Sequence, residues 1–436
     1  MIVRLALALL IAALLAPAAN AASGPAVDAS SLWPTLAPLY EDLHAHPELS
    51  FQEKATAEKL AGRLKALGFD VTSGVGKTGV VGVLRNGGGK TVMLRTDMDG
   101  LPVEEKTELP YASRVTATNA AGQTVPVMHA CGHDVHMTAW IGAATWFAGN
   151  RKAWAGTLVM VGQPAEEVGG GARAMLEDGL LTRFPRPDAA LAIHGMDQLP
   201  AGTVGVKAGP MMASADSIDL VVFGKGGHGA RPSTTVDPIV TASKIVVGLQ
   251  TLVSRENDPF QPAVVTVGSF HAGTKHNIIP DEARLQITVR AFDGEVRDRL
   301  LRGIERIAKA EAEGAGAPKP PEIRVSESLP PTLNDPDLAG RIEKALRAGL
   351  GDARVRPGVT IMAAEDFSLY GKAGIPILMM SVGATRAETL ERARREGTSV
   401  PGLHSPLFAP DPGPTVTTGV EALVAAAREI VGTGRK

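Results

Sequence analysis

Hydrophobic and polar residues alternate along most of the chain in blocks that predict strands separated by helices. Leu60, Leu64 and Leu67 are spaced to share one helix face, and Gly68 follows as a helix end. Short apolar runs typical of buried strands lie at residues 79–84, 91–95, 157–162, 189–193 and 377–380. Strands that alternate with helices predict an α/β layer built on a mostly parallel sheet.

A different pattern between residues 213 and 327 predicts a second domain inserted into the first. Helix-like runs at 238–252 and 296–313 follow strands in which polar and apolar residues alternate singly. These strands lie at residues 217–223, 263–268 and 284–290. Strand, helix, strands and helix in this order indicate a compact α+β unit. We therefore expect a larger domain made of residues 22–212 and 328–436, with residues 213–327 inserted into it.

The first 21 residues predict a signal peptide. Arg4 supplies positive charge, residues 5–15 are apolar, and the small residues of Ala19-Asn20-Ala21 form a cleavage site. The apolar run is shorter than the ~20 residues that span a bilayer, so an uncleaved membrane anchor is the weaker alternative. We therefore expect export to the periplasm or the extracellular medium, with no stable membrane span after processing.

Composition narrows the possible partners and the role of the single cysteine. The chain carries 44 Lys and Arg against 46 Asp and Glu, whereas nucleic-acid binding needs clustered positive charge. Nucleic acid is therefore not an expected partner. An exported protein with one cysteine forms no internal disulfide, so Cys131 needs another explanation.

The sequence HACGHD at 129–134 contains a candidate metal-binding pair. Residues two apart in an extended segment point the same way, so Cys131 and His133 can face one point. Thiolate and imidazole are good ligands for zinc and related divalent metals. One alternative is a buried cysteine beside hydrogen-bonded histidines. Another makes Cys131 the nucleophile of a cysteine hydrolase.

Further candidate ligands follow predicted strands. His194 comes at the end of one strand, Glu166 and Glu167 follow another, and His404 lies in a late loop rich in Pro and Gly. The carboxyl ends of parallel strands share one edge of a sheet, where these side chains can converge. Neighbours in an extended segment point to opposite sides. One carboxylate can therefore bind metal while the other takes a proton from the attacking water.

Six short motifs carry a resemblance to a known family. They are, in chain order, HAHPEL at 44–49, RTDMDGLP at 95–102, HACGHD at 129–134, QPAEE at 163–167, GGHGARP at 226–232 and NIIPD at 277–281. Together they resemble the aminoacylase and carboxypeptidase family of two-metal peptidases, the M20 metallopeptidases. Within that family they are most similar to the amidohydrolase branch of hippurate and indoleacetyl-amino-acid hydrolases. The resemblance implies a two-metal exopeptidase-like catalytic domain that carries an inserted lid or dimerisation domain.

The resemblance also implies a role for each candidate residue. Glu166 would be the general base, and Asp97 would orient the centre without binding metal. His228 would stabilise the oxyanion from the insert, often across a homodimer, and Asn277 and Arg290 would face the substrate's carboxylate. Two divalent ions, identified only as Zn, Mn, Co or Ni, would be held by Cys131, His133, Glu167, His194 and His404.

The implied function is hydrolysis of the amide bond of small N-acyl amino acids, with an acetyl, benzoyl or similar acyl group. Two other functions stay open. The same site could cleave short peptides in the manner of a dipeptidase or carboxypeptidase, or the chain could be a non-catalytic metal- or peptide-binding protein of the cell envelope. A purely structural metal site needs no spare carboxylate, so Glu166 beside a ligand favours an enzyme.

Overall fold

The computed structural model describes residues 27–432 and 434, and the predicted signal peptide at 1–21 lies outside them. The α-helices of this part of the chain are α1 (Trp33–Ala45), α2 (Lys54–Ala66), α3 (His133–Gly149), α4 (Gly171–Glu177), α5 (Leu180–Arg183), α6 (Pro238–Ser254), α7 (Gly294–Gly314), α8 (Pro336–Leu350), α9 (Ser368–Lys372), α10 (Ala387–Glu396) and α11 (Pro412–Val431). The strands are β1 (Asp70–Val75), β2 (Gly79–Asn86), β3 (Thr91–Asp97), β4 (Thr116–Thr118), β5 (Thr124–Pro126), β6 (Gly156–Gln163), β7 (Ala189–Pro200), β8 (Val204–Val206), β9 (Gly209–Met212), β10 (Ala215–Phe223), β11 (Gly227–His228), β12 (Ala263–Ala272), β13 (Ile278–Ile279), β14 (Glu282–Ala291), β15 (Glu322–Leu329), β16 (Thr332–Asn334), β17 (Val355–Pro357) and β18 (Ile377–Thr385). Short 3₁₀ turns lie at Ser30–Leu32, Arg151–Ala153, Pro232–Thr234 and Asp352–Arg354.

The larger sheet has eight strands in the order β1-β2-β6-β3-β7-β18-β8-β17. Its centre, β6-β3-β7-β18, is parallel, whereas β1 with β2, β2 with β6, and β18 with β8 pair antiparallel. The five predicted apolar runs lie in β2, β3, β6, β7 and β18, which confirms the α/β prediction. Asp97 pairs with Gln163, and His194 pairs with Ser381, so these strands present their carboxyl ends at one edge of the sheet.

Helices cover both faces of this sheet, which explains why its central strands are apolar without alternation. On one face Leu60 of α2, Trp140 of α3 and Leu423 of α11 belong to one buried cluster. On the other face Met175 of α4 and Tyr370 of α9 belong to a second cluster. Residues 133–144 of α3 are all buried because this helix lies beneath other helices as well as against the sheet.

The inserted segment forms a separate antiparallel sheet in the order β12-β14-β10-β15, which we call the lid. Its three predicted strands lie in β10, β12 and β14, while β15 was not predicted and runs past the expected boundary at residue 327. Helices α6 and α7 cover one face, so Ile218 and Leu220 are buried while Asp219 between them is partly exposed. The strands β9 and β16, which flank the lid in the chain, pair with each other. The domain limits themselves stay a prediction.

Among the described residues, every helix is too short or too polar to span a lipid bilayer.

Candidate metal centre

Helix α3 begins at His133, directly after a tight turn that contains Cys131. Gly132 in this turn has φ 82°, in the left-handed region that glycine adopts without steric cost. The expectation of an extended segment here is wrong, yet the turn still brings the side chains together. Single ligand atoms of Cys131, His133 and His194 lie within 4.8 Å of one another. The Nδ1 of His133 donates to the carbonyl oxygen of Asp99 at 2.8 Å, so Nε2 is the ring nitrogen that faces the other donors.

His194 and His404 approach Cys131 from opposite parts of the chain. The Nε2 of His194, on β7, is 3.6 Å from the Cys131 sulfur, while its Nδ1 donates to the carbonyl oxygen of Gly195 at 2.8 Å. The Nε2 of His404, in the loop before α11, is 3.3 Å from the same sulfur. The backbone N–H of His404 donates to the carbonyl oxygen of Ala130, which ties this loop to the cysteine turn. Both histidines therefore direct Nε2 at the Cys131 sulfur.

Glu166 and Glu167 lie in a turn just after β6, where Ala165 has φ 49°. Oε2 of Glu166 is 3.9 Å and Oε1 of Glu167 is 3.8 Å from Nε2 of His133. Oε2 of Glu167 is also 3.6 Å from Nε2 of His404. The expectation that the two neighbours point to opposite sides is wrong, because it assumed an extended backbone. Both carboxylates reach the cluster, and Glu167 alone bridges its two ends.

The cluster fits a divalent metal. Within the described residues, Nε2 of His133 and Oε1 of Glu167 are buried and lack hydrogen-bond partners. Buried polar atoms are rarely left unpaired, because doing so costs about 1–3 kcal/mol each. Nitrogen, sulfur and carboxylate oxygen together are the ligands of zinc and similar transition metals. The five predicted ligands are thus brought to one place, although their role as ligands stays a prediction.

Burial and carboxylates dominate the electrostatics of the cluster. Burial, followed by the charges of Glu167 and Glu166, raises the pKa of the Cys131 thiol well above its usual range. Burial and then Glu365 raise the pKa of Glu166, and burial raises the pKa of Glu167 to about 7. Burial lowers the pKa of His194 to about 3, which keeps its imidazole neutral. A cation at this point would compete with these protons, because ligands bind metal in their deprotonated form.

Asp97 contacts His133 of the cluster and also binds residues outside it. Its carboxylate accepts hydrogen bonds from Nη1 of Arg95 and Nδ1 of His136, both at 2.7 Å, and its Oδ2 is 3.8 Å from Nε2 of His133. The Nε2 of His136 accepts from the N–H of Gly195 at 2.7 Å, so its proton is on Nδ1. This contact places His136 between Asp97 and the strand that carries His194. The orienting role of Asp97 stays a prediction.

Several residues of the site were missed from the sequence. Nη2 of Arg95 contacts Oε1 of Glu365 at 2.8 Å and Oδ1 of Asp366 at 3.1 Å, and all three side chains are fully buried. Oxygens of Glu365 and Asp366 also lie within 4.8 Å of Glu166. Arg95 was part of a recognised motif, but Glu365 and Asp366 follow a loop that carries no strand or motif signal. A pair of adjacent acids before an aromatic residue was the one available hint.

A cavity of about 840 Å³ opens between the cluster and the lid. Its lining includes Cys131, Glu166 and His404 on one side and Arg290 of β14 on the other. Arg290 is half-buried, and burial lowers the pKa of its guanidinium. The cavity therefore pairs the metal-type cluster with a cation that can receive an anionic ligand.

His228 and Asn277 lie together on the lid, away from this cavity. His228 is in β11, which pairs with β13, and the carbonyl oxygen of Asn277 accepts from the N–H of Gly229 at 2.9 Å. Both side chains are exposed, and neither belongs to the described residues that line the cavity. One chain in this conformation thus brings Arg290 to the site but not His228 or Asn277.

The sequence of this chain is similar to a known family and to known proteins. It matches the profile of Peptidase family M20/M25/M40 over residues 93–399. It is 40% identical over 334 residues to an N-acetylcysteine deacetylase of Bacillus subtilis (strain 168), covering 76% of this chain and 83% of that protein. It is 40% identical over 338 residues to a hippurate hydrolase of Campylobacter jejuni, covering 75% of this chain and 82% of that protein.

The fold is also similar to that of a solved protein. A dinuclear metal-binding peptidase of the M20 family from Bacillus subtilis superposes with a TM-score of 0.74 at 32% sequence identity, covering 92% of this chain and 99% of that one. The resemblance inferred from the six motifs is confirmed by these matches. On the extent of the profile match and the identity to these relatives, the chain belongs to Peptidase family M20/M25/M40.

Proposed function

We propose that this protein is a metal-dependent amidohydrolase that releases the amino acid from small N-acyl amino acids. One observation carries the proposal. The buried carboxylate of Glu166 lies beside a cluster of nitrogen, sulfur and oxygen donors, and both face a cavity whose far wall holds Arg290. The deacetylase and hippurate hydrolase relatives, which are named for N-acyl amino acids, support this substrate class.

Two divalent ions are the proposed cofactor, with Zn, Mn, Co or Ni as candidates. When bound, such ions polarise the amide carbonyl and lower the pKa of water to about 7. The sulfur of Cys131 lies between His194 and His404, and Glu167 lies between His404 and His133. Cys131 and Glu167 would therefore be among the residues that hold the ions. The remaining ligands are proposed to be His133, His194 and His404.

Glu166 is proposed as the general base and acid. Its carboxylate is buried and reaches the cluster, and burial together with Glu365 raises its pKa. A raised pKa suits a group that takes a proton from the attacking water and then donates it to the leaving amine. Asp97 would keep His133 and His136 oriented.

Arg290 is proposed to bind the carboxylate of the amino-acid product. A guanidinium offers two parallel donors that match a carboxylate, and partial burial strengthens this pairing. Arg290 and Cys131 line the same cavity, so a substrate bound there can contact both.

His228 and Asn277 are proposed to complete the site from the lid of a second subunit. His228 would stabilise the oxyanion and Asn277 would face the substrate's carboxylate, but both side chains are exposed and lie outside the cavity of their own chain. The apolar residues Val240 and Val247 on α6 are 52% and 71% exposed, which supports a lid surface that is covered in a homodimer. Closure of the lid within one chain is the other route.

The remaining proposals concern competing activities and location. Cleavage of short peptides at the same site is the second candidate function, favoured by the solved relative that is described as a peptidase. A cysteine hydrolase is disfavoured because reactive cysteines have a lowered pKa, whereas burial raises that of Cys131. We also propose export, on the strength of the pattern in residues 1–21.

A substrate panel tests these proposals. Metal-free enzyme is reconstituted with each candidate metal and assayed on acetyl, benzoyl and indolylacetyl amino acids and on dipeptides, with Glu166→Gln as the matched control. Metal-dependent release of amino acid that Glu166→Gln abolishes supports the proposal, and faster cleavage of dipeptides favours the peptidase. Activity that resists chelators but is lost on thiol alkylation would show a cysteine hydrolase. Tight metal binding with no turnover of any substrate would indicate a binding protein.

A further inference from the structure

The turn that carries Glu166 and Glu167 is held by two carboxylates that have no part in the proposed ligand set. The N–H of Ala165 donates to Oε1 of Glu53 at 2.8 Å. The N–H groups of Glu166 and Glu167 donate to Oδ1 and Oδ2 of Asp99, each at 3.1 Å. Three successive backbone N–H groups thus donate to two carboxyl groups, as successive N–H groups do elsewhere to phosphate or other anions. Here the chain supplies the acceptors itself.

The three hydrogen bonds from residues 165–167 to Glu53 and Asp99, which we call the clamp, explain the backbone conformation of the turn. Ala165 has φ 49°, which is sterically unfavourable for a residue with a Cβ and needs support from its surroundings. The kink at Ala165 is also what allows the neighbouring side chains of Glu166 and Glu167 to reach the same histidine. Hydrogen bonds from N–H groups to carboxylates are stronger than those between neutral groups, so the clamp can hold this conformation.

Asp99 connects the turn to a second part of the cluster. Its carbonyl oxygen accepts from Nδ1 of His133 at 2.8 Å, which orients the imidazole so that Nε2 faces Glu166 and Glu167. Its Oδ2 also accepts from Oγ of Ser50 at 2.6 Å. One buried residue therefore sets the positions of the proposed base and of two proposed ligands.

Glu53 accepts further hydrogen bonds from Phe51 and Thr78. Its Oε2 accepts from the hydroxyl of Thr78 at 2.5 Å, and its Oε1 also accepts from the N–H of Phe51 at 2.9 Å. Glu53 and Asp99 are both buried. Glu53 follows the motif HAHPEL, and Asp99 belongs to the motif RTDMDGLP. Neither segment contributes a proposed ligand, yet both contact the turn that carries Glu166 and Glu167.

We propose that Asp99 and Glu53 are positioning residues that hold the turn at 165–167 in the conformation needed for hydrolysis. This inference rests on the proposed roles of Glu166 and Glu167. It assigns to two further carboxylates a function in geometry rather than in metal binding or proton transfer.

Asp99→Asn tests the proposal in metal-loaded enzyme. In asparagine an NH₂ group replaces one of the two carboxylate oxygens of Asp99. That group cannot accept a hydrogen bond, so the N–H of either Glu166 or Glu167 loses its acceptor. We expect faster amide hydrogen exchange in the peptide that contains residues 165–167, and a fall in kcat of roughly 10- to 100-fold with KM little changed. Metal affinity, measured by titration calorimetry, should fall because Glu167 is also displaced.

Asp188→Asn is the matched control. Its carboxylate likewise accepts from a backbone N–H, that of Thr91 at 2.8 Å, but at the start of β3 and in an exposed position. Exchange at 165–167, metal affinity and kcat should all match the parent. If Asp99→Asn does not fold, Ser50→Ala decides instead, because it removes the hydroxyl donor to Asp99. It should change exchange and kcat in the same direction by roughly 2- to 10-fold.

The outcomes separate this inference from the proposed function. If amide hydrogen exchange at residues 165–167 in Asp99→Asn is the same as in the parent, the clamp is wrong, whether or not Glu166 is the general base. The same result in Ser50→Ala has the same meaning if Asp99→Asn does not fold. Faster exchange with parental kcat overturns the positioning role. Glu166→Gln should keep parental exchange while losing turnover, and normal turnover in that variant would instead reject the proposed base.

Discussion

Nδ1 of His44 donates to Oδ2 of Asp134 at 2.6 Å in the interior of the protein. The other ring nitrogen, Nε2, donates to Oε1 of Glu105 at 3.0 Å, so the imidazole is protonated between two carboxylates. His44 is in the last turn of α1, and Asp134 is the residue after His133 at the start of α3. This ion pair fastens α1 to the helix end that presents a proposed metal ligand.

His44→Gln should lower the free energy of unfolding by about 3–5 kcal/mol at neutral pH, because it leaves two buried carboxylates without their cation. Burial opposes the charge on His44, but the hydrogen bonds to Asp134 and Glu105 prevail and raise its pKa from 6.5 to about 10. A raised pKa in the folded state stabilises the protein fully below pH 6.5, and this contribution is lost as the pH rises towards 10. Urea unfolding should therefore show a large difference between parent and variant at pH 6.5 that shrinks by pH 10.

The control for this prediction is His46→Gln in the same motif. His46 is exposed and pairs with Asp42 on the surface, where ion pairs contribute about 0–1 kcal/mol. Its substitution should leave stability nearly unchanged. Equal effects of the two substitutions, or a difference that does not vary with pH, would contradict the buried ion pair.

Glu166→Gln and Glu167→Gln should have different consequences. Loss of a general base typically costs roughly 10²- to 10⁴-fold in rate, so Glu166→Gln should lose turnover while retaining metal. Glu167→Gln should lose metal, because the carboxylate contacts both His133 and His404. Elemental analysis beside kinetics checks both, and the reverse pattern of metal content would exchange the two roles.

Cys131→Ser should lower metal content and activity together. The sulfur contacts both His194 and His404, and a hydroxyl is a weaker ligand that is not deprotonated at neutral pH. Excess metal should restore part of both properties. Mass spectrometry of enzyme trapped with substrate should show no acyl group on Cys131, and an acylated cysteine would replace the metal mechanism by a covalent one.

His228→Ala should cut kcat by roughly 10²- to 10³-fold without changing metal content, because it removes an oxyanion donor. His271→Ala, on the exposed part of β12, is the matched control on the same lid and should behave like the parent. Mixing His228→Ala with Glu166→Gln under conditions of subunit exchange should restore part of the activity, since one site of the heterodimer keeps both groups. Full activity in a monomer, or no recovery in verified heterodimers, would contradict donation of His228 by a second subunit. Closure of the lid within one chain would then be the remaining route by which His228 reaches the site.

Much of the fold could be predicted because it depends on local pattern. The apolar run at 157–162 became β6, Gly156–Gln163, and the run at 284–290 became β14, Glu282–Ala291. A strand buried on one face alternates apolar and polar residues, and a strand buried on both faces is a continuous apolar run, so the sequence indicates both kinds. β15 was missed because most of its residues are exposed and it carries no clear alternation.

The local geometry of the site was predicted less well. Extended backbone was expected at 131–133 and 166–167, but both are turns or helix starts. Gly132 indicated a left-handed turn because glycine favours that conformation. The residues around Ala165 in the sequence do not predict its φ of 49°. Its conformation depends on Glu53 and Asp99, which lie 112 residues from Ala165 and 67 residues from Glu166 in the chain.

The sequence by itself determined the family, the α/β class and the set of donor side chains, because these depend on residue identity and short-range order. Only the tertiary structure decided which donors face one another, that Arg290 shares a cavity with them, and that His228 does not. It also brought Glu365 to Arg95 across 270 residues of chain. Such contacts form because polar groups buried in one interior must each bind a hydrogen-bonding partner. The spacing of residues along the chain does not determine which partner each group binds.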